Sequence, residues 1–130
     1  YHFDLTRPGI GLYGGLTFRE SQSVVTLDIP VIQTRDVECG ESVGYGNAWK
    51  APILRKIATV SAGYADGIFR TMGPVTTMYA GTTPCQVIGR ISMDLMPVDV
   101  SDVETPPQNL QLINKTHGID KIARLRYDRL

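Results

Sequence analysis

The chain of 130 residues carries 13 basic and 13 acidic side chains, so its formal net charge is zero. Such a balance excludes the basic surface by which proteins bind nucleic acids or anionic membranes. Hydrophobic residues make up 42% of the chain and charged residues 20%, proportions that exclude intrinsic disorder and favour one soluble globular domain. No apolar run is long enough for a transmembrane helix, and Asp4 and Arg7 interrupt any signal-peptide pattern.

The N-terminal segment is dense in glycine: residues 7–15 read Arg-Pro-Gly-Ile-Gly-Leu-Tyr-Gly-Gly. No strand of normal length fits after Pro8, so we expect residues 1–15 to be irregular chain left over from a preceding domain. We place the boundary so that residues 1–20 are this tail and its linker, and residues 21–130 are the main domain.

The main domain reads mostly as β-structure. Apolar residues alternate with polar ones over residues 25–31, which predicts a half-buried strand, and Pro30 predicts an edge or a bulge there. Short runs bounded by Gly, Pro, Asp or Thr predict further strands at residues 56–62, 75–79, 86–91 and 96–100. We therefore predict an all-β fold, mainly antiparallel, in the form of a small barrel or sandwich.

One stretch has helical spacing. Ile122 and Ala123 follow Ile119 at three and four residues, after a possible cap at Thr116. This spacing predicts a short C-terminal helix over residues 119–125. The chain has two cysteines, Cys39 and Cys85, and neither has a metal-like partner spacing. We expect two reduced thiols in the cytoplasm and no metal site.

Two tyrosines lie in glycine-rich motifs, Gly44-Tyr45-Gly46 and Gly63-Tyr64-Ala65-Asp66-Gly67, and a Gly-Arg-Ile-Ser-Met-Asp motif follows at residues 89–94. Flanking glycines leave the backbone free to adopt positive φ, so the aromatic ring can point into a cleft and need not pack under a sheet. A phenol placed in this way is a candidate group for proton transfer.

Four motifs in series, at residues 7–10, 41–46, 63–67 and 89–94, resemble the C-terminal half of bacterial alanine racemase, a fold type III family dependent on pyridoxal 5′-phosphate (PLP). The resemblance covers roughly residues 4–123. It implies an isomerase that interconverts L- and D-alanine and supplies D-alanine for peptidoglycan precursors. In this family of homodimers, a (β/α)₈ barrel holds PLP on a lysine, and a C-terminal β domain covers the partner's barrel.

The resemblance also implies roles at the substrate. Tyr45 matches the tyrosine that serves one face of the substrate Cα, while the cofactor lysine serves the other. Met93 matches the residue whose backbone N–H binds the substrate carboxylate, and Tyr64 matches one that lines the approach to the active site. Asp94 is expected to fix the turn through hydrogen bonds from its side chain to the backbone.

Further matches concern the cofactor and the entrance. Arg7 matches an arginine that donates to the pyridine nitrogen of PLP, and because arginine cannot accept a proton, that nitrogen stays largely unprotonated. Gly9 and Ile10 match residues whose N–H groups bind the phosphate. Arg70 and Arg90 match positions in the entrance corridor, where they would give a positive mouth for an anionic amino acid.

The sequence departs from the family in three ways. None of its four lysines lies in the sequence context that carries PLP: Lys50, Lys56, Lys115, Lys121. The whole preceding barrel is also missing. Beyond Ala123 a segment with a Gly-Thr-Ile-x-Tyr-Glu motif is absent, and residues 124–130 resemble only the family's terminal strand. We therefore expect the isolated chain to be inactive.

Two alternatives stay open. The same residues could serve a PLP-dependent racemase of broader specificity, acting on serine or on basic amino acids, since pocket volume depends on the missing barrel. The chain could also be a non-catalytic β module for dimerisation or binding, although that reading leaves the register of Tyr45, Tyr64 and Met93 unexplained.

Overall fold

The computed structural model of the chain describes residues 4–7, 9–15 and 20–127. Its centre is a six-stranded antiparallel sheet with strand order β6-β5-β8-β1-β4-β7, accompanied by a two-stranded hairpin of β2 and β3. The strands are β1 Leu27–Val37, β2 Ser42–Val43, β3 Trp49–Lys50, β4 Arg55–Val60, β5 Thr77–Ala80, β6 Thr83–Gln86, β7 Met96–Asp99 and β8 Asn109–Ile113. One α-helix, α1 Ile119–Tyr127, and four 3₁₀ helices complete the described structure: Gly9–Tyr13, Tyr45–Asn47, Tyr64–Asp66, Arg70–Val75.

The sheet is nearly closed into a barrel. Val87, directly after β6, forms an isolated antiparallel bridge with Val98 of β7, so the two end strands of the sheet meet. Closure leaves few unpaired edge groups and encloses one core. The predicted antiparallel, barrel-like β fold is confirmed.

The long strand β1 pairs with two neighbours in succession. Its first residues pair with β8 and its later residues with β4, and the register shifts between Val31 and Gln33. Pro30 lies at this changeover, where it pairs with Asn109 and its carbonyl accepts the Ser61 N–H. Of the two positions predicted for Pro30, the bulge is correct and the edge is wrong, because β1 lies inside the sheet.

Two apolar clusters form the core. The larger one fills the barrel and includes Met78, Met96 and Leu110, all with no exposed surface. The smaller one lies where the β2–β3 hairpin meets the end of β1 and the chain after β6. Its buried members are Val37, Val43, Ala51, Ile57 and Ile88, with Trp49 packed against them. This second cluster anchors the hairpin that leads into and out of the loop with Tyr45.

The predicted strands match the observed ones unevenly. The runs at residues 56–62 and 96–100 correspond to β4 and β7 within two residues at either end. The run at 75–79 begins too early, because Val75 ends a 3₁₀ helix. The run at 86–91 is wrong: β6 ends at Gln86, and Gly89 has φ of +63° and turns the chain away from the sheet.

The two ends of the chain also differ from the predictions. Residues 9–13 are a 3₁₀ helix, so that part of the N-terminal segment is not irregular. Helix α1 begins as predicted but extends to Tyr127, so residues 124–127 are helical where the sequence resembled a terminal strand. Thr116 does not cap it; the Gly118 carbonyl accepts the N–H groups of Lys121 and Ile122. Predictions for residues 1–3, 8, 16–19 and 128–130 lie outside the described residues.

Cys39 is exposed and Cys85 is buried, and neither forms a disulfide. Burial raises the pKa of the Cys85 thiol. Within the described residues, no group of three or more His, Cys, Asp or Glu side chains could hold a metal ion. None of the helices in the same residues has the length and apolar character needed to cross a membrane.

A buried leucine provides a test of the barrel core. Leu110 on β8 has no exposed surface, so Leu110→Ala leaves a cavity inside a closed sheet. We expect a loss of about 2–5 kcal/mol in the free energy of unfolding, measured by urea denaturation. The matched control is Leu54→Ala, at a leucine that is 58% exposed, for which we expect a change within about 0.5 kcal/mol. Equal losses from both variants would contradict this description of the core.

The turn before α1 predicts a pH effect. His117 is buried against Tyr79, whose hydroxyl lies 3.4 Å from its Nδ1, while its Nε2 has no partner in the described chain. Burial lowers the pKa of His117 below its ordinary value, and the charge of Lys121 adds to the effect. Protonation therefore favours the unfolded chain, whose histidine titrates near about pH 6.5.

We accordingly expect His117 to impose no penalty above about pH 6.5, and the free energy of unfolding to fall as the pH drops through that value towards the lowered folded pKa. The measurement is urea denaturation at a series of pH values for the wild-type chain and for His117→Gln. The variant should lose part of the decline below neutral pH, and identical pH profiles would show that this histidine does not contribute.

Candidate active site

One cleft gathers most of the predicted site residues. It has a volume of about 760 Å³, and Tyr45, Tyr64, Arg70, Arg90 and Met93 all line it. Four of them come from three separate motifs and Arg70 lies outside these motifs, so the barrel brings together residues up to 48 positions apart in sequence. Five of the eight predicted site residues therefore share one cavity. The cleft is also lined by Thr71, Ile91, Ser92, Asp94 and Leu95.

Tyr45 projects from a loop whose left-handed backbone favours glycine. Gly44 and Gly46 have φ of +83° and +71°, and Asn47 between Gly46 and the hairpin's second strand has φ of +52°. This left-handed backbone holds Tyr45 out from the β2–β3 hairpin, and its side chain is 73% exposed. Its hydroxyl has no hydrogen-bond partner in the described part of the chain. Tyr45 is one of the residues that line the cleft.

Arg90 lies beside the Tyr45 loop. A Cβ added at Gly46 would lie 3.6 Å from the Arg90 Nη1, and one added at Gly44 would lie 3.8 Å from the Arg90 backbone nitrogen. At Gly89 a Cβ would lie 3.3 Å from the Val43 carbonyl oxygen. The backbone of residues 89–90 thus runs alongside the hairpin and places Arg90 next to the Tyr45 loop.

The backbone segments that carry Tyr64 and Met93 are joined by two hydrogen bonds. The Tyr64 N–H donates to the Ser92 carbonyl at 3.0 Å, and the Ala65 N–H donates to the Met93 carbonyl at 3.0 Å. Gly63 makes this approach possible, because a Cβ there would overlap the carbonyl groups of Ser92 and Met93. The glycine of the motif at residues 63–67 therefore allows close contact with the motif at residues 89–94.

The turn at residues 92–95 is held by Ser92. Its hydroxyl donates to the Leu95 carbonyl at 2.9 Å and accepts the Leu95 N–H at 3.2 Å, and the Ser92 N–H donates to the same carbonyl at 3.1 Å. The prediction that Asp94 fixes this turn is wrong: its side chain is exposed and makes no hydrogen bond with any described residue. A short hydroxyl side chain three residues before Leu95 closes the turn locally, as in other Ser turns.

The N–H group of Met93 is available to a ligand. It has no hydrogen-bond partner among the described residues, and the residue is 53% exposed at the cleft. A backbone donor at a fixed turn suits a carboxylate, since it is already oriented and carries no ionisation of its own.

The two arginines give the cleft a positive rim. The Arg70 guanidinium carbon lies 4.4 Å from the centre of the Tyr64 ring, a cation–π contact that holds both side chains at the mouth. Neither Arg70 nor Arg90 forms an ion pair within the described chain, and Asp94 is the single acidic residue of the lining. This charge distribution favours an anionic ligand.

The three predicted cofactor residues lie apart from this cavity. Arg7 is exposed and precedes the 3₁₀ helix Gly9–Tyr13, of which Gly9 and Ile10 are the first two residues. The first N–H groups of a helix have no partner within it, and the space around Gly9 is open where its Cβ would stand. A free guanidinium and two free N–H donors fit the ring nitrogen and phosphate of PLP in chemical type.

Some lining residues escaped sequence analysis. Thr71 and Leu95 carry no chemistry of their own that would single them out. Ser92 was part of a quoted motif, and the signal that could have identified it is its spacing of three residues from Leu95, which is typical of a side chain that closes a turn.

Comparison with known proteins identifies the family of this chain. Residues 24–126 match the family described as alanine racemase, C-terminal domain. The chain belongs to this family. Among curated relatives, the alanine racemase of Ruegeria sp. (strain TM1040) is 56% identical over 95% of this chain and 36% of its own length. That of Jannaschia sp. (strain CCS1) is 51% identical over 95% of the chain and 36% of its own length.

Solved structures give the same answer for the fold. Alanine racemase from Bartonella henselae, solved with covalently bound pyridoxal phosphate, matches with a TM-score of 0.82 and 31% identity over 92% of this chain and 35% of that one. Biosynthetic alanine racemase from Pseudomonas aeruginosa matches with a TM-score of 0.79 and 34% identity over 92% and 36%. This alanine racemase domain therefore spans about a third of the length of the proteins it matches.

Proposed function

We propose that this chain is the C-terminal domain of a PLP-dependent alanine racemase and that it contributes a proton-transfer tyrosine and a carboxylate donor to the active site. The observation that carries the proposal is the cleft that both Tyr45 and Met93 line, the first with an unpaired hydroxyl and the second with an unpaired N–H in the described chain. Both groups are free of internal partners among the described residues, so both are available to a ligand.

Each group has one task in the proposed reaction. When bound, PLP supplies an electron sink that acidifies the Cα–H of the amino acid. Tyr45 then moves a proton at one face of Cα through its phenolic oxygen, and the Met93 N–H binds the carboxylate so that Cα faces the phenol. Tyr64 lines the path that the amino acid takes, and Arg70 and Arg90 attract its carboxylate to the mouth.

The cofactor residues would contact PLP from the N-terminal segment. Arg7 would donate to the pyridine nitrogen, and the N–H groups of Gly9 and Ile10 would donate to the phosphate, since a guanidinium and free backbone donors suit those groups. We also propose that residues 1–20 are the tail of a PLP-binding barrel with its linker, and that residues 21–130 are the β domain. The family match from residue 24 supports this division.

We propose further that the enzyme is a homodimer in which Tyr45 and Met93 complete the partner subunit's active site. The exposure of both residues in this chain supports an arrangement in which other protein covers them. Two free thiols are suited to a reducing compartment, which supports a cytoplasmic location. In the proposed function, the product D-alanine would supply peptidoglycan precursors.

A racemase with broader specificity would use the same Tyr45 and Met93, because both recognise groups that every amino acid has. Substrate preference distinguishes the two enzymes. If the full-length enzyme racemises serine or lysine faster than alanine, that amino acid replaces alanine as the proposed substrate. A non-catalytic module would leave full-length protein with no racemase activity at all.

Tyr45→Phe in the full-length enzyme tests the proposed base. The ring and its loop remain while the phenolic proton site is lost, so fold and PLP content should survive and kcat should fall by about 10²–10⁴-fold. Deuterium exchange at Cα should be lost unevenly, persisting for the enantiomer whose proton faces the cofactor lysine. Tyr79→Phe is the control, since that hydroxyl faces His117 and not the cleft, and should retain activity. Near-normal activity of Tyr45→Phe in both directions would refute the assignment.

Mixing subunits tests whether the site is shared. A heterodimer of one Tyr45→Phe subunit and one subunit without the cofactor lysine would have one doubly defective site and one intact site. We expect it to regain up to about half of the wild-type activity, because each dimer then has one intact site. Complete inactivity of purified heterodimers would place Tyr45 in its own subunit's site.

The isolated chain should be inactive. None of its four lysines, Lys50, Lys56, Lys115 and Lys121, lies among the residues of the cleft, so PLP has no attachment point there. The test is incubation with PLP, borohydride reduction and mass spectrometry, alongside a racemase assay. A stoichiometric adduct on one lysine, or turnover of alanine, would contradict this prediction.

A further inference from the structure

The Met93 N–H is aimed by hydrogen bonds made on the other side of its peptide group. A trans peptide group is planar, and its carbonyl and N–H point in opposite directions. The Ser92 carbonyl, in the same peptide group as the Met93 N–H, accepts the Tyr64 N–H at 3.0 Å. All peptide bonds in the described chain are trans, so the Met93 N–H points away from the segment that carries Tyr64.

The next peptide group is fixed in the same way. The Met93 carbonyl accepts the Ala65 N–H at 3.0 Å, which turns the Asp94 N–H away from the same segment. Two consecutive N–H groups on one segment therefore orient two consecutive peptide groups on the other. At the far end, three hydrogen bonds between Ser92 and Leu95 prevent the turn from rotating.

Gly63 permits this arrangement. It lies directly before the two donors, and a Cβ at this position would overlap the carbonyl groups of both Ser92 and Met93. Backbone atoms cannot move aside as the end of a flexible side chain can, so any larger residue must push residues 92–94 away or rotate their peptide groups. Gly63 itself has extended backbone, so the requirement is for space and not for an unusual φ.

We propose that Gly63 is a positioning residue for carboxylate recognition: with the N–H groups of Tyr64 and Ala65, it sets the direction of the Met93 N–H. This inference rests on the proposed function, in which that N–H binds the substrate carboxylate. Gly63 touches no substrate and acts only through residues 92–94. Ser92 supports the same turn from its other end.

The test uses full-length enzyme loaded with PLP and the variant Gly63→Ala. Propionate is the probe, because it carries the carboxylate of alanine without its amino group. Calorimetric titration should give a propionate Kd raised about tenfold or more, the effect expected on losing a hydrogen bond to a charged group. The KM for alanine should rise in parallel while kcat stays within about threefold, because the carboxylate contact is made equally in the ground state and the transition state.

Gly81→Ala is the matched control. Gly81 has φ of +62°, so alanine strains the backbone there, but it lies outside the cleft and its Cβ would meet nothing within 4 Å. Gly81→Ala should lower the melting temperature and leave the propionate Kd unchanged. A similar rise in Kd in both variants would mean that general destabilisation weakens binding, and would overturn the proposal.

Ser92 keeps the proposal testable if Gly63→Ala does not fold. Ser92→Ala should raise the propionate Kd by a smaller factor, and Ser92→Thr, which retains the hydroxyl, should restore it. Unchanged propionate Kd in folded Gly63→Ala, or in Ser92→Ala if the glycine variant does not fold, would overturn the proposal. Wild-type enzyme that binds propionate but does not racemise alanine would instead refute the proposed function, since the titration does not depend on turnover.

Discussion

The cleft depends on the close contact of two backbone segments at Gly63. Tyr64 and Met93 belong to different loops. Two backbone hydrogen bonds hold these loops together, and the bonds form only because residue 63 has no side chain. A hydrogen bond between two backbone groups places no rotatable side-chain bonds between the segments that it joins, whereas a contact between side chains does. The position of the Tyr64 backbone relative to the Met93 N–H is therefore set by the fold of the barrel and does not depend on a side-chain rotamer.

The same principle operates at the Tyr45 loop. Gly89 brings its backbone within reach of the Val43 carbonyl, and Gly44 lies against the backbone of Arg90, so the hairpin and the chain after β6 meet without intervening side chains. The smaller apolar cluster, against which Trp49 packs, then anchors the hairpin to the rest of the domain. Functional side chains thus project from glycine-rich loops whose positions are fixed by packed strands, as is common in binding sites built on loops.

The sequence predicted most of what depends on local pattern. Short runs bounded by turn residues located β4 and β7, and helical spacing located α1. Flanking glycines singled out Tyr45 and Tyr64, while Met93, Arg70 and Arg90 were assigned through the family resemblance. It failed where the outcome depends on distant contacts: Val75 is apolar but ends a 3₁₀ helix, and residues 86–91 look like one strand, although β6 ends at Gln86 and Gly89 turns the chain away from the sheet. The role of Ser92 in place of Asp94 was also hidden, because either residue type can close a turn.

The exposed residues of the cleft are suited to burial in the proposed dimer. Tyr45, Met93 and Leu95 present apolar surface beside two arginines that have no acidic partner in the described chain. Burial of the apolar part of this surface against a partner would be favourable, and the two arginines would attract an anionic group. A partner that brings a carboxylate-bearing ligand, its cofactor and an apolar wall would satisfy both requirements at once. The proposed dimer supplies such a partner, and in it the domain's exposed cleft becomes one wall of an enclosed active site.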